Sequence, residues 1–182
     1  MSINFYSELK KNLHGELREN FDLSKSNWLG IGGKANFFFK PKDLKDLQIF
    51  LRNNDKHFPI IVIGSGSNLL IRDKGFDGVV IKFGKDFDYI KINNDIINCG
   101  PATPKSILAE YAANNNLTGF EFLHCIPGTI AGGVVMNSGC YGSDISKVVL
   151  SVTVIDMNGE IKIISNKAVS YTHLTLPTKR IV

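Results

Sequence analysis

Pro59-Ile60-Ile61-Val62-Ile63-Gly64-Ser65-Gly66-Ser67-Asn68 is an apolar, β-branched run that stops abruptly at glycine and polar residues. A short apolar run bounded by proline and glycine predicts a central strand. Beyond it, Gly64 and Gly66 let the backbone turn sharply and aim N–H groups into a concavity, while Ser65, Ser67 and Asn68 add side-chain donors. That is a physical recipe for a diphosphate cradle. Taken alone, the same residues read first as an ordinary strand-ending turn, so the neighbouring segments have to shift the balance.

Upstream, Ala35–Phe39 reads as a short buried strand stopped by Pro41. A helix follows, with Asp43 as its N-cap and Leu44, Leu47, Phe50 and Leu51 on one face. Strand, helix and strand in so short a stretch predict a βαβ unit and a locally parallel sheet. Still further upstream, Phe5, Leu9, Leu13 and Leu17 recur every four positions, which predicts helix over 3–20 and an N-terminal helical segment spanning 1–25.

Downstream of Gly78 the pattern changes. Val79–Phe83 reads as a strand, and Asn93-Asn94-Asp95 as the turn of a hairpin. Thr103 is expected to cap, and Pro104 to open, a helix with Ile107, Leu108, Tyr111 and Ala112 on its apolar side. Val152 and Val154 are expected to face Ile161 and Ile163 across Asn158–Gly159. These elements predict two α+β lobes, about 26–77 and 78–168.

Glycine clusters recur on either side of the opening stretch, at Leu29-Gly30-Ile31-Gly32-Gly33 and at Pro127-Gly128-Thr129-Ile130-Ala131-Gly132-Gly133. Three clusters separated by strands and helices point to ligand contact, because glycines in a shared site admit the backbone close to a large flat or phosphorylated molecule. Two familiar nucleotide motifs are excluded. The third glycine of GxGxxG is replaced by Leu69. A GxxxxGK[ST] loop would need glycine at Trp28 and a hydroxyl residue at Ala35.

Composition excludes other classes. The net charge of +4 is modest, and basic and acidic residues alternate, as in Lys42, Asp43, Lys45 and Asp46. Nucleic acid would call for a denser basic stripe. Cys99, Cys125 and Cys140 are odd in number and lack CxxC spacing, which argues against zinc or a disulfide framework and for a reducing compartment. No signal peptide or membrane-length apolar run is visible, so a cytoplasmic location without membrane partners is expected. His14, His57, His124 and His173 show no HExxH pairing. Glu121 and Asp144 flank the third cluster as possible acid–base groups but lack a partner, and Tyr141 reads by default as a core aromatic.

Several stretches together resemble the UDP-N-acetylenolpyruvylglucosamine reductases. They are Asn27–Gly33, Ile63–Leu70, Gly119–Phe122 leading to Ile126–Thr129, and Gly132-Gly133-Val134-Val135-Met136-Asn137-Ser138-Gly139-Cys140-Tyr141-Gly142. The likeness runs from about Trp28 to Lys162, and the motifs fall in the family's order. It implies an α+β, two-lobed FAD-binding domain of the vanillyl-alcohol-oxidase (PCMH) type. Carried onto this sequence, Gly64, Ser65, Gly66, Ser67 and Asn68 would bind the FAD diphosphate, flanked by Ile63 and Leu69. Pro127, Gly128, Thr129, Gly132, Gly133 and Asn137 would lie along the flavin and its phosphates, and Gly30, Gly32 and Gly33 would shape the site. Cys125 and Ala131 depart from the family's usual glycines, which adjusts packing.

The resemblance also implies NADPH as reductant and a UDP-sugar enolpyruvyl ether as substrate. The family's catalytic arginine, which sits in a Tyr-Arg-x-x-Ser segment, and its later serine and glutamate have no counterpart here. Val169–Val182 instead resembles a translated sequencing adaptor, so the native sequence is expected to end near Lys167 or Ala168, without a substrate domain. Two other readings stay open: a different flavin oxidoreductase of this fold acting on a sugar or alcohol, and a non-catalytic nucleotide-binding module.

Overall fold

The computed structural model describes residues 9–54 and 58–169. The first lobe is a four-stranded sheet of β1 (Glu16–Asp22), β2 (Lys34–Lys40), β3 (Ile60–Ile63) and β4 (Phe76–Lys82), in the order β1-β2-β4-β3. Helix α1 (Leu44–Asn54) connects β2 to β3. β1 is antiparallel to β2, while β2 and β3 both run parallel to β4. The βαβ expectation therefore holds in direction, with β4 inserted between its two strands.

That insertion corrects two expectations. β3 is an edge strand, and the lobe boundary cannot fall at Asp77–Gly78, because β4 is the centre of the first sheet. Burial gives the reason. Val79, Val80 and Ile81 are each 1% exposed, whereas Val62 of β3 is 55% exposed. Both runs are short and apolar, and such runs carry no information about their order in a sheet.

Side chains alternate along the strands, as the pleat requires. Phe37, Phe39, Val79 and Ile81 meet Leu47, Phe50 and Leu51 of α1 on one face, with Phe39 stacked on Phe50 at 4.7 Å. Phe38 and Val80 meet Leu23, Ala35 and Ile63 on the other. Leu44 is exposed, so it is not part of the predicted apolar face.

The N-terminal segment is a third correction. Leu9, Leu13 and Leu17 are all buried as the four-residue recurrence suggests, but only residues 9–12 of the described chain are helical there. Glu16–Asp22 is strand β1, paired with β2 from Glu16↔Lys40 to Asp22↔Lys34. Gly15 marks the change, since a Cβ there would lie 2.2 Å from the Lys40 carbonyl oxygen. Phe5 lies outside the described residues.

One carboxylate holds this junction together. Asp43 caps α1 as expected, accepting from the Asp46 amide at 2.9 Å. Asp46, 1% exposed, accepts in turn from the amides of His14 (2.8 Å), Gly15 (2.8 Å) and Lys42 (2.9 Å). The start of β1 is thereby fastened to the first turn of α1.

The second lobe contains the hairpin of β5 (Ile90–Asn93) and β6 (Ile96–Cys99), α2 (Lys105–Asn114), α3 (Ile130–Val135), the short pair β7 (Gly139–Cys140) and β8 (Ser143–Asp144), and the hairpin of β9 (Ser151–Ile155) and β10 (Ile161–Ser165). Its core gathers Leu108, Ala109, Phe122, Leu123 and Ile145. The Asn93–Asp95 turn is as predicted. Thr103 does not cap α2. It is fully buried, and its hydroxyl donates to the Tyr89 carbonyl at 3.1 Å, while Pro104 precedes the first helical residue without a side-chain cap. Tyr111 is half-buried and Ile107 exposed, so the fully buried face of α2 is instead Lys105, Leu108, Ala109 and Ala112.

The last hairpin forms in a different register. Val152 pairs with Ile164 and Val154 with Lys162. Asp156 closes a three-residue loop, its amide donating to the Glu160 carbonyl at 2.9 Å and its Oδ1 accepting from the Asn158 and Glu160 amides. The extra loop residue shifts the pairing that a two-residue Asn-Gly turn would give. The loop docks on the first lobe, where Gln48 Nε2 of α1 donates to the Gly159 carbonyl at 2.8 Å. From Ser170 onward the expected foreign tail lies outside the described residues.

Replacing Asp46 by Ala leaves three backbone donors without their acceptor in a buried setting. The expected loss of stability is on the order of 3 kcal/mol, read as a lower midpoint in urea unfolding. An unchanged midpoint would remove the carboxylate from the account of how β1 is anchored.

Candidate cofactor site

The parallel part of the first sheet sets the site. β3 releases Gly64–Asn68 (loop 2) from its C-terminal end, the end at which open α/β sheets bind ligands. Loop 1, Asn27–Gly33, follows the 3-10 turn Leu23–Ser26, and loop 3, Pro127–Gly133, runs from the second lobe into α3.

Loops 1 and 2 are stitched backbone to backbone. The Trp28 amide donates to the Gly66 carbonyl at 3.1 Å. Gly66 has φ +74°, and a Cβ on it would lie 2.5 Å from the Ser26 carbonyl oxygen, so the contact requires glycine. Asn27 Nδ2 donates to the carbonyls of Leu23 and Ile31, 2.8 Å each, and closes loop 1 on itself. Lys82, at the end of β4, donates to the Ser26 carbonyl at 3.3 Å. Burial, with the charge of Lys40 added, holds its ammonium below the ordinary lysine range.

Loop 3 closes over loop 2. Ser67 Oγ donates to the Pro127 carbonyl at 3.3 Å, and a Cβ on Gly64 would lie 2.7 Å from Thr129 Oγ1. Loop 3 is itself held by the segment around the start of α2. The Lys105 amide donates to the Gly128 carbonyl at 3.0 Å, the Ile130 amide to Thr103 at 2.9 Å and the Ala131 amide to Pro101 at 3.2 Å.

Gly128, at φ +116°, is the point of convergence. A Cβ there would sit 3.1 Å from Ser67 Oγ and 3.5 Å from both Ser65 Oγ and Lys105 Nζ. Ser65 Oγ is buried and, among the described residues, has no hydrogen-bond partner. Unmet hydroxyl capacity and a nearby ammonium, gathered where the backbone has no side chain, suit an oxygen-rich anion such as a diphosphate.

The structure thus brings Gly64, Ser65, Gly66, Ser67, Gly128 and Thr129 together. Asn68 and Pro127 stand exposed beside them, and Gly30 opens onto free space. Thr129 Oγ1 accepts from the Gly132 amide at 3.5 Å at the start of α3. Other residues of the expected set are engaged in packing. Ile63 and Leu69 belong to the apolar cluster of Leu23 and Val80. Gly32 and Gly33 abut Ile71 and the backbone of Asp73, and Gly133 abuts Ile145. The Asn137 carboxamide accepts from the Ser146 amide at 3.0 Å.

The acid–base candidates are held ionised. Hydrogen bonds from its own backbone amide and from Thr118 keep the Glu121 carboxyl below the usual range, and the Ser146 hydroxyl does the same for Asp144. Tyr141 is not a core aromatic. It is 89% exposed and has φ +53° in the two-residue turn between β7 and β8. Burial pushes the Cys99 thiol up to about 11, so it is no nucleophile. Among the described residues no cluster of His, Cys, Asp and Glu could hold a metal, and no helix is long and apolar enough to cross a membrane.

Sequence reasoning missed Lys82 and Lys105. For Lys82, at the end of a buried strand, nothing in the sequence points to the Ser26 carbonyl 56 positions away. For Lys105 a signal existed: it falls on the same helical stripe as Leu108, Ala109 and Ala112, where a charge is out of place.

The FAD binding domain family matches residues 35–165, and the chain belongs to that family. Its fold is the two-lobed α+β fold of the vanillyl-alcohol-oxidase (PCMH) type, shared with 6-hydroxy-D-nicotine oxidase from Arthrobacter nicotinovorans (18% identity, TM-score 0.63, 85% of this chain and 36% of that one). More specific likenesses converge on one enzyme. The UDP-N-acetylenolpyruvoylglucosamine reductases of Pelagibacter ubique and Rickettsia typhi are 44% and 41% identical over 88% of this chain. The crystal structure of the reductase from Thermus caldophilus superposes with a TM-score of 0.70 at 26% identity, over 85% of this chain and 53% of that one. The chain spans about half the length of the curated relatives, 54% and 55% of the two named.

A methyl group at Gly128 would strain the backbone and occupy the convergence point. G128A is expected to weaken FAD binding by about tenfold or more, measured by flavin fluorescence quenching. Unaltered affinity would place the cofactor elsewhere.

Proposed function

We propose that this chain is the FAD-binding part of a cytoplasmic, NADPH-dependent UDP-N-acetylenolpyruvoylglucosamine reductase, which makes UDP-N-acetylmuramate for peptidoglycan and so serves cell shape and division. The observation that carries the reading is the meeting of glycine loops from two lobes: loop 1 is bonded to loop 2 at Gly66, and Gly128 of loop 3 comes up against Ser65, Ser67 and Lys105. In this reading loop 2, with the Ser65 and Ser67 hydroxyls, holds the diphosphate. Gly128, Thr129 and Gly132 of loop 3 lie along the flavin and its phosphates, and Gly30 opens the first lobe to it. Ile63, Leu69, Gly32, Gly33, Gly133 and Asn137 keep the loops in place.

The chemistry that FAD supplies when bound is two-electron transfer, here between NADPH and the enolpyruvyl group of the UDP-sugar. The residues of this chain hold and orient it. Ser67 and the Gly64–Thr129 approach fix the distance between the loops, and the Asn27 bonds keep loop 1 from collapsing into the opening. Proton delivery is not assigned to Glu121 or Asp144, whose hydrogen bonds favour the ionised forms.

The chain as it stands is expected to bind FAD and to show no turnover of the UDP-sugar with NADPH. Saturating FAD should raise the unfolding temperature by several degrees, the equivalent of roughly 3 kcal/mol at a hundredfold excess over Kd. A folded chain with neither flavin absorbance nor an FAD-dependent shift would defeat the proposal. FAD binding together with flavin reduction by a simple alcohol or free sugar would instead favour a different oxidoreductase of this fold.

A further inference from the structure

Lys105 is the least expected buried group in the molecule. It is 3% exposed and occupies the core-facing stripe of α2 with Leu108, Ala109 and Ala112. Its stem passes beneath α3, with Cδ 3.1 Å from where a Cβ on Gly133 would sit. Its ammonium donates to Ser138 Oγ at 3.2 Å. Among the described residues no carboxylate lies within ion-pair distance of it. An ammonium has three donors, and burying one beside a single neutral hydroxyl is costly. Burial accordingly lowers its pKa. A methionine or leucine would complete the stripe without that cost, so packing alone does not explain a lysine.

The position of the charge supplies an explanation. Lys105 Nζ and the hydroxyls of Ser65 and Ser67 converge on Gly128, each 3.1–3.5 Å from where a Cβ on it would sit. The Lys105 amide also holds the Gly128 carbonyl, so the helix that carries the charge sets the position of the loop above it. We propose that Lys105 is the countercharge for the cofactor's diphosphate, acting from beneath loop 3 through the side-chain-free backbone at Gly128. The inference rests on the FAD reading above and assigns to a positioning residue the charge balance that glycines and hydroxyls cannot provide. In a setting of low effective dielectric, a fixed cation contributes far more to holding a nearby anion than one in water.

The test uses the full chain, with FAD and riboflavin as probes, and the variants Lys105→Met and Ser138→Ala. Lys105→Met keeps the stem and removes the charge. The expected result is an apo unfolding temperature equal to or above wild type, because an uncompensated buried charge is gone. FAD affinity should fall about tenfold or more, some 1.4 kcal/mol per decade, while riboflavin, which lacks the diphosphate, binds as to wild type. Ser138→Ala, which removes the hydroxyl partner and keeps the charge, should bind FAD like wild type.

The proposal is overturned if Lys105→Met binds FAD normally, if it loses riboflavin affinity in the same proportion, or if Ser138→Ala reproduces its defect. It is equally overturned if Lys105→Met fails to fold, since the lysine is then structural. A wild-type chain that binds no FAD sinks the underlying reading as well, which separates the two failures.

Discussion

The burial of β4 between β2 and β3 is the constraint on which the rest depends. Val79, Val80 and Ile81 are covered on both faces, and their parallel pairing with β2 and β3 brings the C-terminal ends of three strands to one edge of the sheet. Ile63 at the end of β3 lies opposite Lys82 at the end of β4. Loop 2 leaves from the first of these residues, and the second reaches across to Ser26 at the root of loop 1. Without the inserted strand the two glycine loops of the first lobe would have no common floor.

The second lobe adds loop 3 and little else to the site, yet it is fastened firmly. The segment from Pro101 to Lys105 receives or donates three backbone bonds to Gly128, Ile130 and Ala131, so the entry to α2 is a template for the loop. The tip of the β9–β10 hairpin docks on α1 through Gln48 and Gly159, which ties the two lobes together away from the loops. The candidate site is therefore a seam between separately packed cores, where a side chain at Gly66 would run into the backbone of Ser26 and Asn27, and one at Gly128 would strain a left-handed backbone.

Charge is distributed across this seam in an uneven way. Lys82 and Lys105 are both partly or wholly removed from water, both are bonded to neutral oxygens, and burial lowers the pKa of both. Glu121 and Asp144 are engaged with Thr118 and Ser146. The cations near the loops thus face uncharged oxygens, an arrangement that favours an anionic ligand over a metal or a basic one.

The sequence by itself determined strands β2 to β6, β9 and β10, helices α1 and α2, and the three glycine loops, because each is written in local chemistry: β-branched runs, Asp43 before an amphipathic helix, glycines and hydroxyls after a strand. It also carried the family resemblance, which was distributed over several motifs in order. It could not decide that β4 enters the first sheet ahead of β3, that Glu16–Asp22 is a strand, or that the last hairpin pairs Val152 with Ile164. Each of those depends on a partner distant in the chain, and two apolar runs of equal length are indistinguishable until one is covered on both sides. The same reason hid Lys105. Its place on the stripe of α2 was legible, but only the tertiary structure put its charge beneath Gly128, beside two serines some 40 residues away in sequence.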